Sequence, residues 1–233
     1  MIKFKVSIVM PVYNEEATIL AIVTKVREAQ LPVGVSREIV IVDDGSKDQT
    51  AEILKSFHGI EGITIIHQNN QGKAGAVVTG FKNATGDILL IQDADLEYDP
   101  NQYAILLQPI VDGRAEVVYG SRFLGKIEGM LPINRWANKV SNWTVNLLFG
   151  ARMTDINTCY KIFTRRALEG ITIKGRHFEF DTEVTAKVLL KGLTITEIPI
   201  KYTARSYGAG KKIKWSTSLA MFWQIIKYRF FCK

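Results

Sequence analysis

The 233-residue chain has little cysteine: two residues, Cys159 and Cys232, far apart and without any metal-ligand spacing. That excludes a disulfide-stapled scaffold and a zinc ribbon. No apolar stretch reaches the roughly 18–20 residues that a membrane-spanning helix needs, and no leader-like apolar region opens the chain. The expectation is a reducing, cytoplasmic setting, in which the tripeptides Asn83-Ala-Thr85 and Asn142-Trp-Thr144 carry little weight as glycosylation acceptors. Phosphate-loop fingerprints are missing too. The stretch NNQGKAG (69–75) has neither GxxxxGK[ST] nor GxGxxG spacing, which argues against P-loop and dinucleotide-binding readings. There are no repeats, low-complexity tracts or convincing linkers. The last absence is of acid: from Lys201 onward the chain has eight Lys and Arg and no Asp or Glu. Much of the overall +7 charge (30 Lys+Arg against 23 Asp+Glu) therefore sits at that end. Such an excess favours an anionic partner: nucleic acid, nucleotide phosphate or an acidic lipid surface.

Length and a 47% apolar content are enough for one well-cored domain. The first half alternates β-rich runs with helix-length segments: Phe4–Met10 and Ala17–Ala29, Glu38–Val42 and Thr50–Phe57, Ile63–His67 and Ala74–Asn83, Ile88–Gln92 and Gln102–Val111, then Val117–Gly120. This order predicts βαβ units and a mostly parallel α/β sheet. The loops PVYNEE, DDGSKDQT, NNQGKAG and DADLEYDP follow the strand ends, where open α/β sheets bind ligands, so they should converge on one site. Beyond Gly120, residues 131–150 read as a helix with Trp136, Val140, Trp143, Leu147 and Leu148 on one face. Phe180–Lys191 reads as another helix, and Thr194–Ile200 as a strand. The tail 213–233 places Trp215, Leu219, Phe222, Trp223 and Ile226 at helical spacing between basic ends. It suits packing on the domain or lying on a membrane surface.

Carboxylates gather at two strand ends. Asp43 and Asp44 precede Gly45-Ser46, and a turn alone explains one aspartate better than two; Ser46 or Asp48 could cap the next helix. Asp93, Asp95 and Glu97 follow the apolar run ILLI. In an extended segment alternate side chains point the same way, so these three could line one side of a site for a hard divalent cation or a ligand's hydroxyls. Asp99, before Pro100, reads as a helix-start residue.

Taken together, PVYNEE (11–16), VDDGS (42–46), NQGKAGAVVTGF (70–81), GDILLIQDADLEYDP (86–100) and VVYGSRF (117–123) resemble the family 2 glycosyltransferases of GT-A fold. With DINTCYKIF (155–163) and RSYGAGKKIKW (205–215), the chain looks like the polyprenyl-phosphate sugar synthases of the dolichol-phosphate mannose synthase type. That resemblance implies a GT-A catalytic domain over 1–212 and a basic amphipathic helix over 213–233. It implies that Pro11, Tyr13, Glu15, Asp44 and Asp93 hold the nucleotide of a nucleotide-sugar donor, and that Asp95 and Glu97 ligate Mg²⁺ or Mn²⁺. Arg122, Arg135, Arg205 and Lys211 would grip the acceptor phosphate, with Asp155 as the matching candidate for a base and Asp181 and Glu183 behind it. His177 reads as a surface histidine. The expected reaction is inverting transfer from GDP-mannose to a polyprenyl phosphate, at the cytoplasmic face of a membrane and with no nucleic-acid partner. Relatives often bring their own membrane segments or a membrane-anchoring subunit. UDP-glucose as donor, a saccharide acceptor, and a non-catalytic nucleotide-sugar or membrane-binding module stay open beside it.

Overall fold

The computed structural model describes residues 3–175, 179–205 and 216–231. Strands β1 (Phe4–Val12), β2 (Val35–Asp43), β3 (Ile63–His67) and β4 (Ile88–Ile91) are linked by helices α1 (Ile19–Glu28), α2 (Thr50–Leu54) and α3 (Gly72–Asn83). They pair in parallel in the order β3-β2-β1-β4. Near-continuous apolar runs such as Ile39–Val42 suit strands covered on both faces. Alternation sorts their side chains: Val6, Ile8 and Met10 join Ile39, Ile41 and Ile22 in one core, whereas Val9, Val40, Val42 and Leu89 pack with Ala76 on the other face. Because successive strands depart to opposite sides of β1, the ends of β1 and β4 open a crevice. PVYNEE and DADLE border it.

The remaining strands, β5 (Val117–Glu128), β6 (Lys161–Thr164) and β7 (Ile195–Thr203), extend the sheet as β4-β6-β5-β7. Only β6 runs against its neighbours. Helices α4 (Tyr103–Val111), α5 (Pro132–Phe149), α6 (Arg165–Leu168), α7 (Glu179–Leu190) and α8 (Ser216–Phe230) complete the chain. The expected mostly parallel α/β sheet is observed, with seven strands among the described residues. Strand β6 was not expected: it is four residues long and begins with Lys161, which is fully buried. Strand β5 continues past Gly120 through a register shift between Ser121 and Lys126, and β7 continues past Ile200 to Thr203. Pro199 is tolerated within β7 because β7 is the edge strand.

Helix α5 forms where the sequence places it. Its apolar face points outward: Trp136, Trp143 and Leu147 are 66%, 63% and 64% exposed, and the buried residues are Ser141, Asn142, Thr144 and Val145. The loop from Ala151 to Tyr160 explains this, since its backbone polar groups need partners. Asn146 accepts from Met153 N–H at 2.7 Å and donates to Met153 C=O at 2.8 Å. Asn142 accepts from Ile156 N–H and donates to Thr154 C=O, and Asn138 accepts from the Asn157 amide. Burying Asn142 also removes the acceptor asparagine of that glycosylation tripeptide from the surface.

Strands β5 and β7 approach so closely that a Cβ on Gly125 would collide with the Ile200 carbonyl. Gly125→Ala is expected to cost about 2 kcal/mol through overpacking against backbone, which lowers the melting temperature of a domain this size by about 4–8 °C. Thermal unfolding followed by circular dichroism checks it; an unchanged midpoint would mean that the two strands part freely.

Candidate active site

The loops after β1 and β2 are laced together. Asn14 adopts φ 53°, and this left-handed turn lets its N–H donate to Ser46 Oγ at 2.9 Å while its Oδ1 accepts from Lys47 N–H at 2.8 Å. Glu15 N–H donates to Thr50 Oγ1, and Glu16 exchanges bonds with Asp48 and Gln49. The two adjacent aspartates have separate tasks. Asp43 accepts from Ser46 N–H and contacts His67 Nδ1 at 2.9 Å. Asp44, buried, accepts from the Gln68 amide at 2.6 Å and from the backbone N–H groups of Gln71 and Gly72 at 2.8 Å each. A carboxylate has about four acceptor sites, so these three bonds leave Asp44 room for one more donor. Pro11 lies one residue before the end of β1, beside this pair, and Tyr13 and Glu15 follow on the loop, partly exposed.

The DADLE segment is a turn rather than an extended run. Leu96 has φ 61°, and Asp95 Oδ1 accepts from Glu97 N–H at 3.1 Å. A left-handed leucine costs about 1–3 kcal/mol. The turn sends the three carboxylates in different directions, against the expectation that alternation would align them. Asp93 pairs with Lys73 at 2.7 Å. Burial works against the Lys73 charge, but Asp93 outweighs it and raises the lysine's pKa above its ordinary value. Glu97, expected at the metal, is tied to β7: Tyr202 Oη donates to Glu97 Oε2 at 2.5 Å and Arg205 N–H donates to Glu97 Oε1 at 2.8 Å. Asp95 keeps an oxygen that no protein donor bonds among the described residues. Burial, then the charges of Asp93 and Glu97, push the Asp95 pKa up to about 7.

Arg205 closes this cluster. Its Nη2 lies 2.5 Å from Glu15 Oε2 and its Nε donates to the Asp95 carbonyl at 2.8 Å. One guanidinium thus spans the β1 loop and the β4 loop. Arg122 and Asp155 form a buried bidentate pair, both contacts 2.7 Å, and the Arg122 backbone N–H donates to the same carboxylate at 2.9 Å. Burial opposes the Arg122 charge, and Asp155 more than restores it. With both oxygens occupied, Asp155 orients Arg122 rather than standing ready as a base. Arg135 is exposed on α5, with no described contact to the cluster, and Lys211 and His177 lie outside the described residues. Asp181 pairs with Lys161 at 2.5 Å, while Glu183 is fully buried and accepts from the N–H groups of Lys174 and Gly175. Asp99 accepts from Asn101 N–H at the start of the 3₁₀ turn 100–102, as expected.

Sequence reasoning missed Tyr202 and Lys161. Tyr202 stacks under Arg122, 5.1 Å from its guanidinium, while bonding Glu97. Lys161 carries no motif signal of its own, and burial lowers its pKa despite Asp181. Both work through residues tens of positions away, which no local pattern reports.

Residues 7–171 match the family model described as Glycosyl transferase family 2. The chain is 29% identical over 211 residues to an undecaprenyl-phosphate 4-deoxy-4-formamido-L-arabinose transferase of Pseudomonas aeruginosa, covering 88% of this chain and 60% of that relative. Its match to a UDP-N-acetylglucosamine–dolichyl-phosphate N-acetylglucosaminyltransferase of Methanococcus voltae is 30% identical and covers 88% of this chain and 89% of the relative. The chain thus spans about three-fifths of the Pseudomonas protein's length and most of the Methanococcus one's. The fold resembles glucosyl-3-phosphoglycerate synthase of Mycobacterium tuberculosis, crystallised with Mn²⁺, UDP-glucose and glycerol 3-phosphate. That likeness has a TM-score of 0.73 at 17% identity and covers 97% of this chain and 78% of that one. The α/β sheet therefore has the GT-A arrangement, and the chain belongs to glycosyl transferase family 2.

Proposed function

We propose that the protein transfers a sugar from a nucleotide donor to a polyprenyl phosphate, by in-line displacement with inversion at the sugar carbon. The observation that carries the reading is the crevice between β1 and β4, where Asp93 pairs with Lys73, Arg205 ties Glu15 to the Asp95 carbonyl, and Asp44 holds the loop that leads to Lys73. The Pseudomonas and Methanococcus relatives, named for undecaprenyl phosphate and dolichyl phosphate, support the acceptor class. Asp44 and Glu15 would receive the nucleoside and Asp93 the ribose or diphosphate side, with Lys73 beside them as a fixed positive charge. A phosphate monoester is already anionic near neutral pH, its second pKa being about 6, so the acceptor can attack without giving a proton to the enzyme. The buried commitment of Asp155 to Arg122 agrees with a reaction that needs no base.

Mg²⁺ or Mn²⁺ fits the residues present. The donor set is oxygen-only, and the pKa of Asp95 is raised by burial and then by the charges of Asp93 and Glu97, a penalty on its charged form that a cation would relieve. Among the described residues no three such ligands already converge on a point, in keeping with an ion that takes one or two carboxylates and completes its shell with phosphate oxygens. Asp95 would hold it; Glu97 stays with Tyr202. When bound, such an ion offsets charge gathering on the departing diphosphate.

Purified protein with Mg²⁺, polyprenyl phosphate and labelled GDP-mannose, UDP-glucose or UDP-N-acetylglucosamine is expected to form chloroform-soluble labelled product with one donor. No product across the panel, or transfer to saccharides alone, would defeat the reading. Asp95→Asn should lower kcat by about 100-fold or more. Glu97→Gln should leave transfer at saturating Mn²⁺ within about threefold, and a loss matching Asp95→Asn would place Glu97 at the metal. The pH dependence has a definite sign. The folded pKa of Asp95 lies above its ordinary 3.8, so the metal-free fold loses this residue's contribution as pH rises from 3.8 towards about 7, where the carboxylate becomes charged. Below about 7 a cation must displace that proton. Apparent Mn²⁺ affinity should therefore climb by up to about tenfold per pH unit and level off above 7, a slope absent from Asp95→Asn.

A further inference from the structure

Gln92 is fully buried directly after β4, where its N–H continues the ladder by donating to the Val9 carbonyl at 3.0 Å. Its side chain is a junction. The Oε1 atom accepts from the hydroxyl of Tyr103, which opens α4, at 2.6 Å, and from that of Tyr160, just ahead of β6, at 3.0 Å. The Nε2 atom donates to the carbonyls of Asp93 at 2.9 Å and Tyr98 at 3.3 Å. An amide offers two acceptor and two donor sites, so all four are filled. The amide can sit only one way round: the carbonyls need donors, and burial raises the pKa of both tyrosines well above its ordinary value, which keeps their hydroxyls protonated. Cys159 adds a third hold, accepting from the Asp93 N–H at 3.2 Å while its own N–H donates to Tyr98 Oη at 3.1 Å.

Resting on the metal-assisted transfer proposed above, we infer that Gln92 is a positioning residue for the cation: its amide fixes the turn that aims Asp95 into the crevice. The two carbonyls it grips, those of Asp93 and Tyr98, bracket Asp95 in the chain. Between them Leu96 holds φ 61°, a strained conformation for leucine that persists only where the surroundings enforce it. Buried carbonyls in such a turn need donors, and here one side chain supplies two. The tyrosines brace the amide from the other side, against α4 and the loop before β6. A satisfied amide could sit anywhere in a core. What singles out Gln92 is that both of its donors are spent on the segment carrying Asp93, Asp95 and Glu97. Groups that orient a metal-binding carboxylate set the affinity for the ion, typically by about 10–100-fold.

Gln92→Glu tests this with almost no change of volume: both tyrosines keep an acceptor, but an oxygen replaces the amino group that faces the two carbonyls. The probe is Mn²⁺, alone and with UDP or GDP, followed by water-proton relaxation on the full chain without lipid. The wild type is expected to bind the ion more tightly with nucleotide than without it. Gln92→Glu should weaken Mn²⁺ binding by about 10–100-fold, and Tyr160→Phe, which removes one brace of the amide, by about threefold. In the transfer assay, raised Mn²⁺ should return Gln92→Glu to within about threefold of the wild-type kcat, because the carboxylate of Asp95 is still present. Val26→Ala opens a cavity in the core at the last turn of α1; it should lower the melting temperature yet leave Mn²⁺ affinity within about twofold, which separates positioning from a general loss of stability. Each of four results would overturn the inference: a wild type that binds no Mn²⁺ with either nucleotide; a folded Gln92→Glu of wild-type affinity; a kcat deficit that saturating Mn²⁺ does not relieve; or a loss in Val26→Ala equal to that in Gln92→Glu. If Gln92→Glu does not fold, Tyr160→Phe decides, and unchanged affinity there overturns the inference. Mn²⁺ binding that depends on Gln92, without transfer to any lipid phosphate, would sink the proposed function and leave the positioning role standing, whereas transfer to lipid phosphate with Mn²⁺ affinity indifferent to Gln92 would do the reverse.

Discussion

The second half of the molecule is organised around the buried pair of Arg122 and Asp155. Two desolvated charges in bidentate contact tie β5 to the loop behind α5, and Glu197 of β7 binds the backbone N–H groups of Thr154 and Asp155 at 2.8 Å each. Removing one member of such a pair leaves an uncompensated charge worth about 3–5 kcal/mol, against a total stability of about 5–15 kcal/mol for a typical domain. The pair is therefore a condition for β5, β7 and α5 keeping their places. Tyr202 transmits that order onward, with its ring under Arg122 and its hydroxyl on Glu97.

The parallel half was legible because its signals are local. Apolar runs such as Ile39–Val42 give strands, and polar loops after them give the crevice. Asp44 and Asp95 were singled out for the same reason, since carboxylates at the ends of buried strands call for a special explanation. What failed to show was anything that depends on a distant partner. Periodicity revealed that α5 has two faces but could not say which one turns inward, because the answer rests on unsatisfied backbone groups of the loop beyond Gly150. Glu97 could be picked out as a carboxylate, but its bonds to Tyr202, 105 positions away, and to the Arg205 N–H could not. Strand β6 was hidden because its leading Lys161 reads as a surface residue until Asp181 and the ring of Tyr119 are placed around it.

The crevice itself is a balance of charge. Glu15, Asp93, Asp95 and Glu97 meet Lys73 and Arg205, so within this set carboxylates outnumber cations. A donor diphosphate brings more negative charge and a divalent ion brings the opposite, which makes joint entry of the two more favourable than entry of either alone. Arg205 sits where this matters, because the Glu15 oxygen it holds belongs to the loop expected to receive the nucleoside.

The placement of Pro199 reaches beyond the site. Strand β7 forms one margin of the sheet, bonded over residues 201–203 by the loop after β4, and the stretch before it is where a free row of N–H and C=O groups would invite another chain to add a strand. Pro199 has no N–H to contribute there, so a growing fibril or a swapped strand finds a gap in the template midway along β7. The opposite margin, β3, is only five residues long. A protein that leaves Trp136, Trp143 and Leu147 exposed on one helix is thereby guarded against polymerising through its sheet.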